Sequence, residues 1–210
     1  MNTEGQVGPQ LLNDGASQNF RQGRTGEQIV SDGHSRYQEM TVRNNVYTAN
    51  TKSSTVTATT DIAPLPANTG VPQLGIYNPV GSGKNLVILK AGVSTISGTP
   101  GGPFYFDVIP PNAGITASGT NAINNFTFQQ TGSVAKVFAH TAITGSVAAI
   151  TLRPLGGPAA VAAGAGNYQV DEEVAGAIII PQGGFLGISA HAVGTSHVIS
   201  AYITWEEINA

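Results

Sequence analysis

SHVISAYITWEEI, residues 196–208, sets Val198, Ser200, Tyr202 and Thr204 against Ile199, Ala201, Ile203 and Trp205. Strict alternation is the period of a β-strand, whose successive side chains point to opposite faces. One of these faces is fully apolar and the other mixed, so the segment reads as a strand lying between a core and solvent. Trp205 falls on the apolar face, and its indole is expected in the core.

Similar short apolar runs precede it, each closed by Gly, Pro or Asn: 74–78, 85–96, 104–109, 124–130, 135–143, 147–154, 175–180 and 185–193. Val, Ile, Phe and Tyr dominate them, which is the composition of strands. In NNFTFQQ (124–130) the two-residue spacing of Phe126 and Phe128 puts both rings on one face of a predicted strand. Turns are predicted at 78–83, 100–103, 182–184 and 194–195, where Gly, Pro and Asn cluster. No helical periodicity intervenes. The expected fold is all-β, an antiparallel jelly roll or β-sandwich over residues 73–210, with 156–167 as a long surface loop.

Upstream the text changes. Ten of the charged residues fall in 1–52, although the whole chain of 210 residues has only 9 basic and 12 acidic side chains. Large apolar residues there follow no steady period, so residues 1–50 are expected to form an extended N-terminal arm without a core of their own. Residues 51–72, rich in Thr, Ser and Pro, read as a linker or peripheral strand.

Composition excludes several function classes. With 27 Gly, 12 Pro and 10% charged residues, a helical bundle is not expected. A net charge of −3 with scattered basic residues gives no attraction to nucleic acid. Without cysteine there is no disulfide scaffold, thiolate zinc site or thiol nucleophile. No apolar run approaches the ~18 residues of a membrane span, and MNTEGQVGPQ lacks the plan of a signal peptide.

The chemical motifs are equally sparse. Gly81-Ser82-Gly83-Lys84 lacks the upstream Gly and downstream Ser or Thr of a phosphate loop and reads as a turn opening a strand. Gly164-Ala165-Gly166 does not extend to a dinucleotide fingerprint. His191 and His197 lack local Cys, Asp or Glu to complete a metal site. Asp171-Glu172-Glu173 lacks the alternating spacing that wraps calcium and reads as a solvated loop. No Gly-x-Ser-x-Gly elbow occurs. The expectation is a protein without catalytic activity, cofactor or metal.

Four stretches carry a resemblance: RQGRTGEQIVSDGHSRYQEMTVRNNVYTANT (21–51), GIYNPVGSGKNLVILKAGV (75–93), AIIIPQGGFLGIS (177–189) and AYITWEEI (201–208). Together they resemble virion structural proteins of tailed bacteriophages. The resemblance implies a jelly-roll domain with an extended arm, a homotrimer, and a place on the capsid exterior after synthesis in the host bacterial cytoplasm. It implies a cement or decoration protein that bridges major capsid subunits, or else a neck or tail adaptor; a receptor-binding or lectin-like domain is the further alternative. Under the cement reading, Arg21, Arg24, Arg36 and Arg43 are expected to pair with carboxylates of the partner. Leu11, Leu12, Phe20, Tyr37 and Tyr47 are expected to supply its apolar contacts.

Overall fold

The computed structural model describes residues 36–51, 72–98, 102–111, 114–115, 120–141, 143, 147–157, 168–190 and 198–210. The chain divides into two units, Met1–Glu39 and Met40–Ala210, and both sheets belong to the second. In chain order the elements are α1 (Gln38–Val42), β1 (Val46–Asn50), β2 (Leu74–Tyr77), β3 (Lys84–Ser97), β4 (Phe104–Ile109), β5 (Ile123–Asn124), β6 (Lys136–Ala139), β7 (Ile150–Gly156), β8 (Gln169–Glu173), β9 (Ile179–Ile180), β10 (Phe185–Ala190) and β11 (Val198–Asn209).

Among the described residues the strands form a two-sheet, antiparallel β-sandwich. One sheet runs β5-β1-β11-β3-β8, with β9 also on β3; the other runs β6-β2-β10-β4-β7. The pairing is nested: β1 pairs with β11, β2 with β10, β3 with β8 and β4 with β7. Each strand of the first half thus finds its partner counted from the opposite end of the chain.

Alternation explains the core. On β11, Ile199, Ala201, Ile203 and Trp205 are buried, in the phase the sequence dictates. They face Leu74 and Ile76 of β2, Phe104 and Phe106 of β4, and Leu186 and Ile188 of β10 within one apolar cluster. On β3 the buried series Leu86, Ile88 resumes at Ala91, Val93, an odd step that regular alternation forbids. A bulge resolves it: Thr204 pairs with Lys90 but Trp205 with Ile88, so one residue is left over and the core face is kept. A second cluster covers the opposite face of the β2-containing sheet, where Tyr77, Ile109, Phe138 and Phe185 meet Ile115, Ile143 and Ala149 from the 110–149 segment.

Three expectations are corrected. Residues 46–50 are a sheet strand and not arm: Val46, Tyr47 and Ala49 are buried, and Thr51 continues the ladder by donating its amide to Ala201 O at 3.0 Å. Asn44 ends α1 in the left-handed conformation (φ 62°) and turns the chain into β1. Asp171-Glu172-Glu173, read as a solvated acidic loop, belong to edge strand β8, whose side chains alternate exposed and half-buried. The run 124–130 is a strand only at Asn124; beyond it the chain turns. Of the expected linker 51–72, only Thr51 and Pro72 lie within the described residues.

Candidate interaction surface

Asn124 builds the loop that carries Phe128, the most exposed large apolar side chain among the described residues. Its buried side-chain oxygen accepts from the amides of Phe126 (2.9 Å) and Thr127 (3.0 Å), while its amide nitrogen donates to Asn44 O (3.1 Å). The backbone closes the same loop, with Phe128 N donating to Asn124 O and Asn124 N to Gln129 O, each at 2.9 Å. Asn side chains capture neighbouring amides in this way in place of a ladder, which is why the predicted strand stops. Phe128 is thereby held at φ 57° with 82% of its surface exposed, and Phe126 stands half-exposed beside it. A large ring held in water on a strained, multiply bonded loop points to contact with another molecule.

Where β9, paired to β3, meets the other sheet lies an apolar groove of about 300 Å³, lined by Val108, Pro110, Leu152, Ile178, Ile179 and Phe185 among others. Ile179 is 54% and Leu152 47% exposed, and Ile150 beside them on β7 is 58% exposed. Further along β3, β8 carries Asp171, Glu172 and Glu173; Glu172 pairs with Arg153 of β7 at 2.5 Å. Tyr202 of β11 lies over Gly92 of β3 and donates to Asp171, and burial together with that carboxylate pushes its hydroxyl pKa up. A second cavity, of about 280 Å³, opens between β1 and β6 and is lined by Thr48, Asn50, Asn121 and Gln130 among others.

A buried carboxylate ties the 120–139 segment to the sheet. Glu207 accepts from Ser133 Oγ (2.6 Å), from Val134 N at both oxygens (3.1 and 3.3 Å), and from the Trp205 indole (3.4 Å). Tyr47 stacks on Trp205 with centroids 6.2 Å apart, and burial followed by the Glu207 charge pushes the Tyr47 hydroxyl pKa up.

Of the residues expected to contact a partner, Leu11, Leu12, Phe20, Arg21 and Arg24 lie outside the described residues. Arg36 stands over the ring of Tyr37 at 5.5 Å, and Arg43 is exposed after α1. Tyr47 is buried in the core, which corrects its assignment as an arm contact. His34, His191 and His197 also lie outside; among the described residues no group of three His, Cys, Asp or Glu side chains could hold a metal ion.

His140, at φ 49°, has both ring nitrogens buried without a hydrogen-bond partner among the described residues, and burial pushes its pKa below 6.5. Below about pH 6.5 the unfolded chain therefore binds a proton that the folded chain resists, and stability falls as the pH drops through that value. Thermal melts at pH 7 and pH 5 should show a larger loss for the wild type than for His140→Asn, since Asn tolerates the same backbone angle. Equal losses would remove His140 as the cause.

The fold is an all-β sandwich that, among the described residues, displays large apolar side chains at two places. Comparison with protein-family models, with curated proteins and with solved structures finds no match for the chain.

Proposed function

We propose that this chain is a non-enzymatic assembly protein of a tailed-phage particle, in which a jelly-roll domain with an extended N-terminal arm cements the capsid exterior by bridging major capsid subunits. The observation that carries the assembly reading is the display of apolar side chains at two separate places, Phe126 and Phe128 on one edge and Ile150, Leu152 and Ile179 on the other. Such groups are kept in a soluble domain when a protein surface covers them. The phage assignment rests on the four sequence stretches quoted above. What supports the jelly-roll reading is strand order: β1-β11-β3-β8 and β2-β10-β4-β7 interleave as a long hairpin rolled onto itself, with β5, β6 and β9 as additions.

The arm in this reading ends before Val46, where β1 begins. Arg21, Arg24, Arg36 and Arg43 pair with capsid carboxylates, and Leu11, Leu12, Phe20 and Tyr37 add apolar contact. Quantitative mass spectrometry of purified particles tests the proposal through copy number relative to the major shell protein. Near parity is the expected result. A few copies per particle would move the chain to the neck or tail, and absence from particles would overturn the virion reading.

A further inference from the structure

β6 is an edge strand with little backbone support. Four positions pair it with β2, from Lys136 against Tyr77 to Ala139 against Leu74, and among the described residues its outer side is met only by the bridge of Val137 to Thr120. One further rung follows, in which His140 N donates to Gln73 O at a long 3.3 Å. An edge strand held by so few bonds opens at lower free energy than the central strands of a sandwich.

His140 ends this strand under constraint. Its backbone is left-handed, at φ 49°, a conformation that a residue with a Cβ keeps when its surroundings impose it. Two anchors do so: Phe138, two residues before, and Ile143, three residues after, are both buried in the second apolar cluster with Phe185. Between these anchors both ring nitrogens of His140 are shut away from water without a hydrogen-bond partner. A neutral imidazole leaves one donor and one acceptor unmade there, whereas an imidazolium would leave two donors and an unpaired charge.

The neighbouring strands offer that charge no counter-ion. Among the described residues on this face of the sheet, β2 presents Gln73 and Tyr77, β10 Ser189 and Phe185, β4 Tyr105 and Asp107, and β6 itself Lys136. The covering segment adds Ile115, Ile143 and Ala149, none of them charged. Asp107 is the one carboxylate in this set; it lies three strand spacings of roughly 4.8 Å from β6, about 14 Å in all, and accepts from Ser189. Lys136 carries the same sign as an imidazolium and opposes it.

We infer that His140 is an acid-operated latch: on gaining a proton it leaves its site, its backbone relaxes from the left-handed region, and the end of β6 parts from β2 while the rest of the sandwich stays closed. What the parting uncovers is apolar, chiefly Phe138 and the Phe185 ring that it meets edge-on at 6.0 Å. Burial, which pushes the His140 pKa below 6.5, sets the window. The closed strand resists a proton that the opened strand accepts, so the latch holds above about pH 6.5 and loosens as the pH falls through that value. The latch is independent of the assembly reading.

Amide hydrogen exchange of the full-length protein, followed by NMR at pH 7 and pH 5 and corrected for the intrinsic rate at each pH, tests the latch. Phe138, paired with Gly75 across the β6–β2 ladder, reports the local opening, and Trp205 in β11 reports the global one. Protection at Phe138 is expected to fall about tenfold between the two pH values, the effect of one pKa unit. Low concentrations of urea should change it far less than they change protection at Trp205, because urea sensitivity scales with the surface exposed. His140→Asn keeps the backbone angle and takes up no proton, so its Phe138 protection should be the same at both pH values. The chain has four His, and this variant assigns the response to one of them.

Titration of the wild-type imidazole signals needs no variant and should place His140 below 6.5. A value of 6.5 or above would overturn the inference, as would Phe138 protection that is equal at pH 7 and pH 5. So would a Phe138 amide as sensitive to urea as Trp205, since the opening would then be global. A pH response of Phe138 that survives in His140→Asn would assign the effect to another group.

Discussion

Trp205→Ala is expected to destabilise the domain by about 3–5 kcal/mol, the range for emptying a large aromatic site in a packed core. The indole is fully buried at the centre of β11, stacked on Tyr47 and surrounded by side chains of both sheets. Its one polar contact, to Glu207 at 3.4 Å, is long, so most of the loss comes from the cavity and from apolar area returned to water. Trp205→Phe keeps much of the volume and should recover more than half of it. Chemical denaturation followed by circular dichroism measures both, since the variants lack the protein's single tryptophan. A loss below about 1 kcal/mol for the alanine variant would mean that the core collapses around the gap, against the cavity account.

Glu207→Ala is expected to cost about 3 kcal/mol, and its effect should be local as well as global. The substitution strands Ser133 Oγ, the Val134 amide and the indole N–H, all of which now donate to one buried carboxylate. Each buried donor left unmade costs roughly 1–3 kcal/mol, offset in part where water enters. Amide exchange at Val134 and Ala135 should accelerate well before the sheets open, because these residues lead directly into β6. The neighbouring Glu206 points to the other face, where burial alone pushes its pKa up. If Glu206→Ala proves as damaging as Glu207→Ala, the clamp is not what holds this segment.

The fold class was legible because alternation is written locally. Ile199 to Trp205 states its two faces without reference to anything distant, and β2, β4 and β10 lie within runs recognisable from their apolar residues. β8 was missed because Gln169-Val170-Asp171-Glu172-Glu173 is an edge strand, and charges on an edge are a normal guard against further pairing. Tyr47 and β1 were hidden by their setting, five residues of strand among polar text, with a partner strand more than a hundred and fifty residues away. The Phe128 loop misled for a different reason. Its two-residue aromatic spacing imitates a strand, and the contrary signal was the Asn124-Asn125 pair, whose side chains favour turns. Which apolar residues come to share an edge could not be read at all, because that position does not exist until the strands are ordered across the sheet.

The nested pairing also sets a timetable for synthesis. Thr48 and Thr204, whose hydroxyls bond at 2.9 Å across β1 and β11, are 156 residues apart, so at ~5–20 residues per second the ribosome delivers the second on the order of 10 s after the first. β4 and β7 are the first of the nested pairs to have both members available, then β3 with β8, then β2 with β10. The nested pairs therefore become available from the innermost outward. Among the described strands β1 is translated first and is the last to gain its nested partner, so the sheet can close only once β11 has been made.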